Sequence, residues 1–368
     1  MKSNSIKIAL TAGGTGGHIF PALAIKDNLL KLGHEVIFIT DQRYKNYSLP
    51  IDDHTTILKL YPISRNFFKL IKGVFSNFIG LLKALKTLKK FNPDIVMGFG
   101  GYPTMPVILA AKLLKIKIIL HEQNSVLGRI NRLFINYANI VATSFHDTQK
   151  IETKFLRKAF FTGTPVRKEI SALYNLSYPE ITENSKINII VIGGSQGASI
   201  FAKIIPDAIK LLPKEIQLRI RLDQQCRNLE EENILKQEYA EMGISADVAP
   251  FFKDIAHRLA GAHIVIARAG SSTINEVLIS GKPVILVPLP TSMDDHQLYN
   301  AEYVVNNDAG WLIKQPQFSP EALAEILEQV IVNPQILYQK AGNAKRISMP
   351  GALTSIINML LVETKYQG

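Results

Sequence analysis

The sequence predicts an α/β protein built as two similar halves, each a mainly parallel sheet covered by helices on both faces. Three observations carry this reading. Residues 6–18, IKIALTAGGTGGH, run from a short apolar stretch into four glycines within five positions and then into a helical pattern at residues 19–25. Residues 187–198, INIIVIGGSQGA, repeat the order of strand, glycine turn and helix half a chain later. Elsewhere, short apolar runs alternate with helix-length segments, the pattern of strands joined by covering helices. Glycine lets a backbone approach a ligand closely, and the helix behind it directs unpaired N–H groups and partial positive charge at the loop. One such unit can be no more than a tight turn. Two of matching pattern point to paired phosphate-binding loops.

A chain of 368 residues, 47% of them hydrophobic, fits two domains with sizeable cores. The single cysteine, Cys226, excludes an internal disulfide framework and fits a reducing compartment. The first apolar run reads as a buried strand rather than a signal peptide. No stretch reaches the ~18 uninterrupted apolar residues of a spanning helix. The expectation is a protein made and kept in the cytosol unless a surface holds it. Net charge is +11, unevenly placed: residues 1–165 hold 23 Lys+Arg against 9 Asp+Glu, so the rest of the chain is slightly acidic. One basic half suggests that one domain faces an anionic surface or substrate, and argues against a nucleic-acid binder.

In chain order, residues 35–40 read as the second strand, ended by Asp41 and Gln42. The next stretch, to Pro62, is polar and irregular apart from residues 56–60. Residues 66–91, NFFKLIKGVFSNFIGLLKALKTLKKF, place apolar side chains at helical spacing (67, 70, 71, 74, 78, 81, 82, 85 and 88), with lysines at 69, 72, 83, 86 and 90 largely opposite. This is a basic amphipathic helix, or two short ones broken near Gly73 or Gly80. It either packs on its own sheet or docks on an anionic membrane, and the surplus phenylalanines favour docking. Strands are expected at residues 93–101, 115–120, 140–143 and 160–163, with a helix at 109–114. Residues 176–186 read as a linker. The second half continues with strands at 187–192, 218–222, 247–248, 264–267, 284–287 and 310–313, and a helical tail from Pro320 broken at Pro350-Gly351.

In open α/β sheets ligands bind beyond the carboxyl ends of strands, and five polar clusters fall there. Gly13-Gly14-Thr15-Gly16-Gly17-His18 lacks the third glycine of a dinucleotide fingerprint, although Asp41 keeps that reading open. His18 can serve as a general base. Gly98-Phe99-Gly100-Gly101-Tyr102-Pro103 is a third glycine loop. His121-Glu122-Gln123-Asn124 must either bond one another or face a polar ligand. In Arg268 to Glu276, Thr273 and Glu276 match a capping box, or Glu276 accepts two ribose hydroxyls while the loop N–H groups hold phosphate. Asp294 to Ala301 carries amides and an imidazole suited to sugar hydroxyls. Histidine and cysteine spacing gives no metal signature, and there is no GxSxG elbow or GxxxxGK[ST] loop.

GGTGGH, GFGGYP, HEQN, GTPVR, GGSQGA, RAGSSTINE and DDHQLYNA, in that order and over nearly the whole chain, resemble the MurG glycosyltransferases of family 28. That resemblance implies the GT-B fold: two Rossmann-like domains facing across a cleft, with a C-terminal helix returning to the N-terminal domain. The matching domains are an acceptor and membrane-facing domain at 1–165, a linker at 166–186, a UDP-GlcNAc-binding domain at 187–345 and the returning helix at 346–368. It implies an inverting transfer of GlcNAc from UDP-GlcNAc to the 4-hydroxyl of the MurNAc of lipid I, the undecaprenyl-pyrophosphoryl-MurNAc-pentapeptide, giving lipid II for peptidoglycan. No cofactor is implied. The place of action is the cytoplasmic face of the membrane, held peripherally on an anionic surface by segment 66–91.

Residue by residue, the resemblance implies that Thr15, Gly16 and Gly17 line the cleft and that His18 is the base. Asn124 would contact the donor side, and Arg167 and Ser195 the diphosphate region. Phe252 would meet uracil through its backbone. Ser271, Ser272 and Thr273 would hold phosphate, Glu276 the ribose, and His296 and Gln297 the GlcNAc hydroxyls. The chain departs from the family at Arg221-Leu222-Asp223-Gln224-Gln225-Cys226, where many members carry His-Gln-Thr/Ser-Gly, which puts any donor contact made there in doubt. Two other readings stand beside this one: a related synthase with a diacylglycerol acceptor, and a nicotinamide-dependent oxidoreductase.

Overall fold

Each half of the chain forms one all-parallel sheet. The computed structural model describes residues 5–47, 49–62, 66–183, 185–193 and 199–365. It divides into two units: Met1–Val166 together with Gly351–Gly368, and Arg167–Pro350.

Unit 1 contains β1 (Lys7–Thr11), α1 (Gly16–Lys31), β2 (Glu35–Asp41), β3 (Thr55–Leu58), α2 (Phe67–Phe91), β4 (Ile95–Gly98), α3 (Met105–Leu113), β5 (Lys117–Glu122), α4 (Arg129–Phe134), β6 (Ile140–Thr143) and β7 (Ala159–Phe161). The strand order is β3-β2-β1-β4-β5-β6-β7. Side chains alternate across a strand, so a sheet covered on both faces needs apolar residues at every position. Ile8, Leu10, Ile95 and Met97 enter one core with Ile25 and Leu29 of α1. Ala9, Val96, Ile118 and Leu120 enter another with Leu88 of α2 and Val107 and Ile108 of α3.

Unit 2 contains α5 (Lys168–Ser171), β8 (Ile187–Ile192), α6 (Ser199–Leu211), α7 (Lys214–Gln217), β9 (Ile220–Gln225), α8 (Leu229–Glu241), β10 (Ser245–Ala249), α9 (Ile255–Gly261), β11 (Ile264–Ala267), α10 (Ser271–Ile279), β12 (Val284–Leu286), α11 (His296–Asn306), β13 (Gly310–Leu312), α12 (Pro320–Val332) and α13 (Gln335–Ile347). Its order, β10-β9-β8-β11-β12-β13, repeats that of the first six strands of unit 1. In each sheet the chain starts in the middle and reverses direction once, between β1 and β4 and between β8 and β11. A crevice opens at that reversal, and ligands of doubly wound folds sit there.

The last helix, α14 (Ala352–Lys365), belongs to unit 1. Ile356, Ile357 and Leu360 are buried with Ile8, Leu10 and Ile25, and Lys117 Nζ donates to the Glu363 carbonyl at 2.6 Å. Residues 335–364 are long and apolar enough by composition to cross a membrane. The path breaks at Ser348, whose backbone is extended (φ −81°, ψ 161°), so α13 and α14 are separate helices.

Within segment 66–91, α2 is one unbroken helix of 25 residues capped by Asn66, and it faces the reverse of the usual way. Its inward stripe is Gly73, Ser76, Asn77, Gly80, Ala84 and Leu88. Its apolar stripe, Leu70, Ile71, Val74, Phe78 and Leu82, is exposed along with Phe68, Phe75 and Ile79. The small stripe is needed for close approach: a Cβ on Gly80 would lie 2.5 Å from Leu60 Cδ2. Ser76 Oγ accepts from Tyr61 N at 3.1 Å, and Asn77 Nδ2 donates to the Tyr61 carbonyl at 3.0 Å. Polar bonds to residue 61 thus replace the apolar contact that periodicity alone would place there.

Candidate active site

The loops at the unit 1 reversal are built against each other. A Cβ on Gly13 would lie 2.4 Å from Pro103 Cγ, and one on Gly101 2.8 Å from the Gly13 carbonyl oxygen. Gly14, Gly100 and Gly101 also hold positive φ, so side chains are excluded by space and by conformation. The third glycine loop is therefore a packing partner of the first. Thr15 is the N-cap of α1, yet its hydroxyl meets His18 Nδ1 at 3.1 Å instead of capping the backbone. His18 Nε2 lies on the side of Gly100, where a Cβ would come within 3.5 Å of it. Gly16 and Gly17 begin the helix, and Pro21 removes the N–H that would bond the Gly17 carbonyl. Thr15, Gly16, Gly17 and His18 thus form the N-cap and first turn of α1.

His121, Glu122 and Gln123 are buried and bond one another, as loop-bracing residues would. His121 Nε2 donates to the Gly163 carbonyl at 3.0 Å, and its Nδ1 accepts from Gln123 Nε2 at 2.9 Å. Burial holds the imidazole neutral, with its pKa pushed down to about 4. Glu122 Oε1 accepts from the Asn124 backbone and side chain at 3.0 and 3.2 Å. Its Oε2 accepts from Gly128 N and Asn131 Nδ2, both at 2.8 Å. Burial raises the Glu122 pKa and these donors oppose the shift. Asn124 is the member of this motif that reaches the edge of the site, and Glu122 holds it.

Asp41 does not behave as a dinucleotide-binding acid. Its Oδ2 accepts from Arg43 Nε at 2.6 Å and from the Tyr102 hydroxyl at 3.3 Å, and the Arg43 guanidinium lies 4.6 Å over the Tyr102 ring. Asp41 Oδ1 and Arg43 Nη2 are buried with no hydrogen-bond partner among the described residues. Arg43 and Asn131, which brace these loops, have no place in the sequence reading, and Tyr102 enters it only within the third glycine loop. Position 43 lies within a polar, featureless stretch, and nothing in the local pattern singles it out.

In unit 2, the turn between β11 and α10 carries Arg268 to Glu276. Gly270, not Thr273, is the N-cap, and no side chain caps the helix. The capping-box reading therefore fails, and Glu276 has a different partner. Arg167 Nε donates to Glu276 Oε1 and Nη2 to Oε2, both at 3.1 Å, a two-pronged pair. Burial raises the Glu276 pKa and the Arg167 guanidinium lowers it. Ser271 is buried, Ser272 exposed and Thr273 half-buried on the first turn. Asn300 Nδ2 donates to the Ala269 carbonyl at 3.0 Å and fixes the turn from α11. Arg268 is turned inward, donating to the Val287 carbonyl at 3.0 Å.

The turn before α11 holds Asp294 and Asp295 at positive φ (54° and 55°), a left-handed conformation that aspartate adopts more readily than most residues. His296 Nδ1 donates to the Met293 carbonyl at 2.8 Å, which leaves Nε2 as the acceptor nitrogen. Gln297 Oε1 accepts from Leu289 N at 3.0 Å, so its amide nitrogen is the end that can meet an acceptor. Phe252 is buried beneath the Arg258 guanidinium, 3.9 Å from the ring centre. Arg258 in turn pairs with Asp223 at 2.9 Å and Asp247 at 2.7 Å. In the departing motif at 221–226, Gln224 Oε1 accepts from the Tyr239 hydroxyl at 2.6 Å and Cys226 is buried, while Arg221 is exposed. Ser195, with the glycine loop after β8, lies outside the described residues. Among the described residues, no cluster of three His, Cys, Asp or Glu side chains is arranged to hold a metal ion.

Two family models match the chain in order: the glycosyltransferase family 28 N-terminal domain over residues 8–143 and the glycosyltransferase family 28 C-terminal domain over residues 188–354. Two curated relatives are each named UDP-N-acetylglucosamine–N-acetylmuramyl-(pentapeptide) pyrophosphoryl-undecaprenol N-acetylglucosamine transferase. The one from Zymomonas mobilis is 37% identical over 97% of this chain and 92% of its own length. The one from Paramagnetospirillum magneticum is 38% identical over 98% of both. The crystal structure of Acinetobacter baumannii MurG superposes with a TM-score of 0.78 at 28% identity, covering 96% of this chain and 98% of that one.

Proposed function

We infer the reaction from the family: the chain belongs to glycosyltransferase family 28 and is an N-acetylglucosaminyltransferase. It moves GlcNAc from UDP-GlcNAc to the N-acetylmuramyl-(pentapeptide) unit of a pyrophosphoryl-undecaprenol carrier, the step that gives lipid II from lipid I. One observation carries this: relatives of that name align over nearly all of this chain and nearly all of their own. The nicotinamide reading is set aside, because the Asp41 carboxylate it needs is already bound to Arg43 and Tyr102.

Unit 2 takes the donor. Ser271, Ser272 and Thr273 offer first-turn N–H groups and hydroxyls to the diphosphate, and Arg167 offers its guanidinium; the family resemblance assigns Ser195 to the same group. Glu276 accepts the ribose hydroxyls, the backbone at Phe252 meets uracil, and His296 and Gln297 meet the sugar hydroxyls. Unit 1 takes the acceptor along the loop of Thr15, Gly16 and Gly17, and Asn124 contacts the donor. In an inverting displacement the acceptor hydroxyl attacks the anomeric carbon as UDP leaves. The departing diphosphate gains charge, which helix N–H groups and Arg167 stabilise. His18 takes the hydroxyl proton on Nε2, while Thr15 holds Nδ1.

The acceptor is a lipid, and α2 supplies the means to reach it. Its outward phenylalanines and leucines, its lysines and an adjoining apolar groove of about 450 Å³ between α2, α3 and α4 suit docking on an anionic bilayer. These features support a peripheral seat on the cytoplasmic face of the membrane. The reading is tested by following UDP release from UDP-GlcNAc with undecaprenyl-pyrophosphoryl-MurNAc-pentapeptide or with diacylglycerol. Release is expected with the first only. Release with diacylglycerol alone would move the chain to the glycolipid synthases.

A further inference from the structure

The donor half of the molecule holds a fork that is already occupied. Arg167 is the first residue of unit 2 and the N-cap of α5. Its guanidinium grips both oxygens of Glu276. Glu276 is largely buried while Arg167 is half exposed, with 20% and 49% of their side chains accessible. The carboxylate is therefore fixed on a helix wall, and the guanidinium is the partner able to swing away.

Two vicinal hydroxyls binding a carboxylate donate one hydrogen bond to each oxygen. A guanidinium fork binds the same two oxygens in the same way. The two ligands compete, and a ribose can reach Glu276 only once Arg167 has left. A guanidinium that leaves a carboxylate loses charge-assisted bonds, a loss that another anion of matching geometry makes good. A diphosphate attached to the same ribose is such an anion.

We propose that the Arg167–Glu276 pair makes the donor site selective for diphosphate-bearing nucleotides: Arg167 holds both Glu276 oxygens until a diphosphate draws it off, and Glu276 then takes the ribose hydroxyls. This rests on the donor reading given above. A nucleoside without phosphates must break the pair uncompensated. A nucleoside diphosphate exchanges one partner for another. The pair thus holds off uridine and similar fragments, and Arg167 acts as a specificity-determining residue in addition to binding phosphate.

The test is titration of uridine and of UDP into the full chain and into Arg167→Ala and Arg167→Lys, by calorimetry or ligand-observed NMR, with thermal melts to check folding. Arg167→Ala is expected to tighten uridine roughly threefold to tenfold, the worth of a part-exposed ion pair. The same change should weaken UDP about tenfold or more through lost charge-assisted bonds. Arg167→Lys keeps the charge without the fork, so uridine should again tighten while UDP weakens less than with alanine. Opposite signs for the two ligands support the proposal, because a residue that merely props up the site would weaken both. Uridine binding that is weakened or unchanged in Arg167→Ala overturns it, while wild-type binding of UDP would still uphold the donor reading. A wild-type chain that binds neither ligand overturns both.

Discussion

The two sheet reversals share a topology and differ in what fills them. In unit 1 the loops after β1 and β4 fill each other, glycine against proline and glycine against carbonyl, with contact distances that admit no side chain. In unit 2, among the described residues, a Cβ on Gly270 in the turn before α10 would meet nothing within 4 Å, and a charged fork stands beside it. Glycine is thus used for close packing in one unit and leaves open space in the other. The same letter in a sequence motif stands for two physical needs, and only the neighbours tell them apart.

The largest effect should separate the units by chemistry. His18→Ala is expected to lower kcat by about a hundredfold to ten-thousandfold with donor affinity nearly unchanged. Glu276→Gln should act mainly on donor affinity. Steady-state kinetics with UDP titration distinguishes them, and equal losses of turnover and affinity in His18→Ala would remove it from the base role. The next contrast is in stability. Gly13→Ala forces Pro103 away and should cost about 1–3 kcal/mol. Gly270→Ala, with φ of −68° and open space, should stay within about 0.5 kcal/mol. Denaturant melts that show equal costs would break the comparison.

Acid should then act on both units together. His121 in unit 1 and His263 in unit 2 are each held neutral by burial, with pKa values pushed down to about 4. The unfolded chain binds protons at these positions below about pH 6.5 and the folded chain does not. Their contribution is full above that pH and is lost as pH falls towards 4, on the order of 3 kcal/mol for the fully buried His121. Melting temperature against pH checks this, and the slope should flatten in His121→Gln. The smallest effect on stability is expected on α2. Phe75→Ser with Phe78→Ser should change stability by less than about 0.5 kcal/mol, because both rings are more than half exposed. The same pair should lower sedimentation with anionic liposomes about tenfold or more. Unchanged liposome binding would remove the docking role.

The order of strands and helices was legible because parallel strands are apolar at nearly every position. Strand ends were less so. The sequence reading stopped β5 at Leu120 and β9 at Leu222, whereas these strands run on to Glu122 and Gln225. The added residues His121, Glu122 and Gln224 are polar yet buried, and they bond partners outside their own strands: Gly163, Asn131 and Tyr239. The capping-box alternative at Thr273–Glu276 fails for a related reason: Glu276 finds Arg167 more than a hundred residues away, which no local pattern records. The direction of α2 was legible only in its surplus of phenylalanines. Its two faces have the same period, and the usual rule buries the apolar one. The rule fails where Gly80 must touch Leu60 and Asn77 must bond Tyr61, and a rule broken in this way often marks a place where function overrides packing.

The membership of α14 in unit 1 has a consequence for biosynthesis. Nascent domains generally fold one after another as they leave the ribosome, the earliest first. Here Ile356, Ile357 and Leu360 sit beneath β1, so the leading domain is missing a wall until the final helix is translated. Unit 2, contiguous from Arg167 to Pro350, has all its parts sooner, and the half made first would be the last to close.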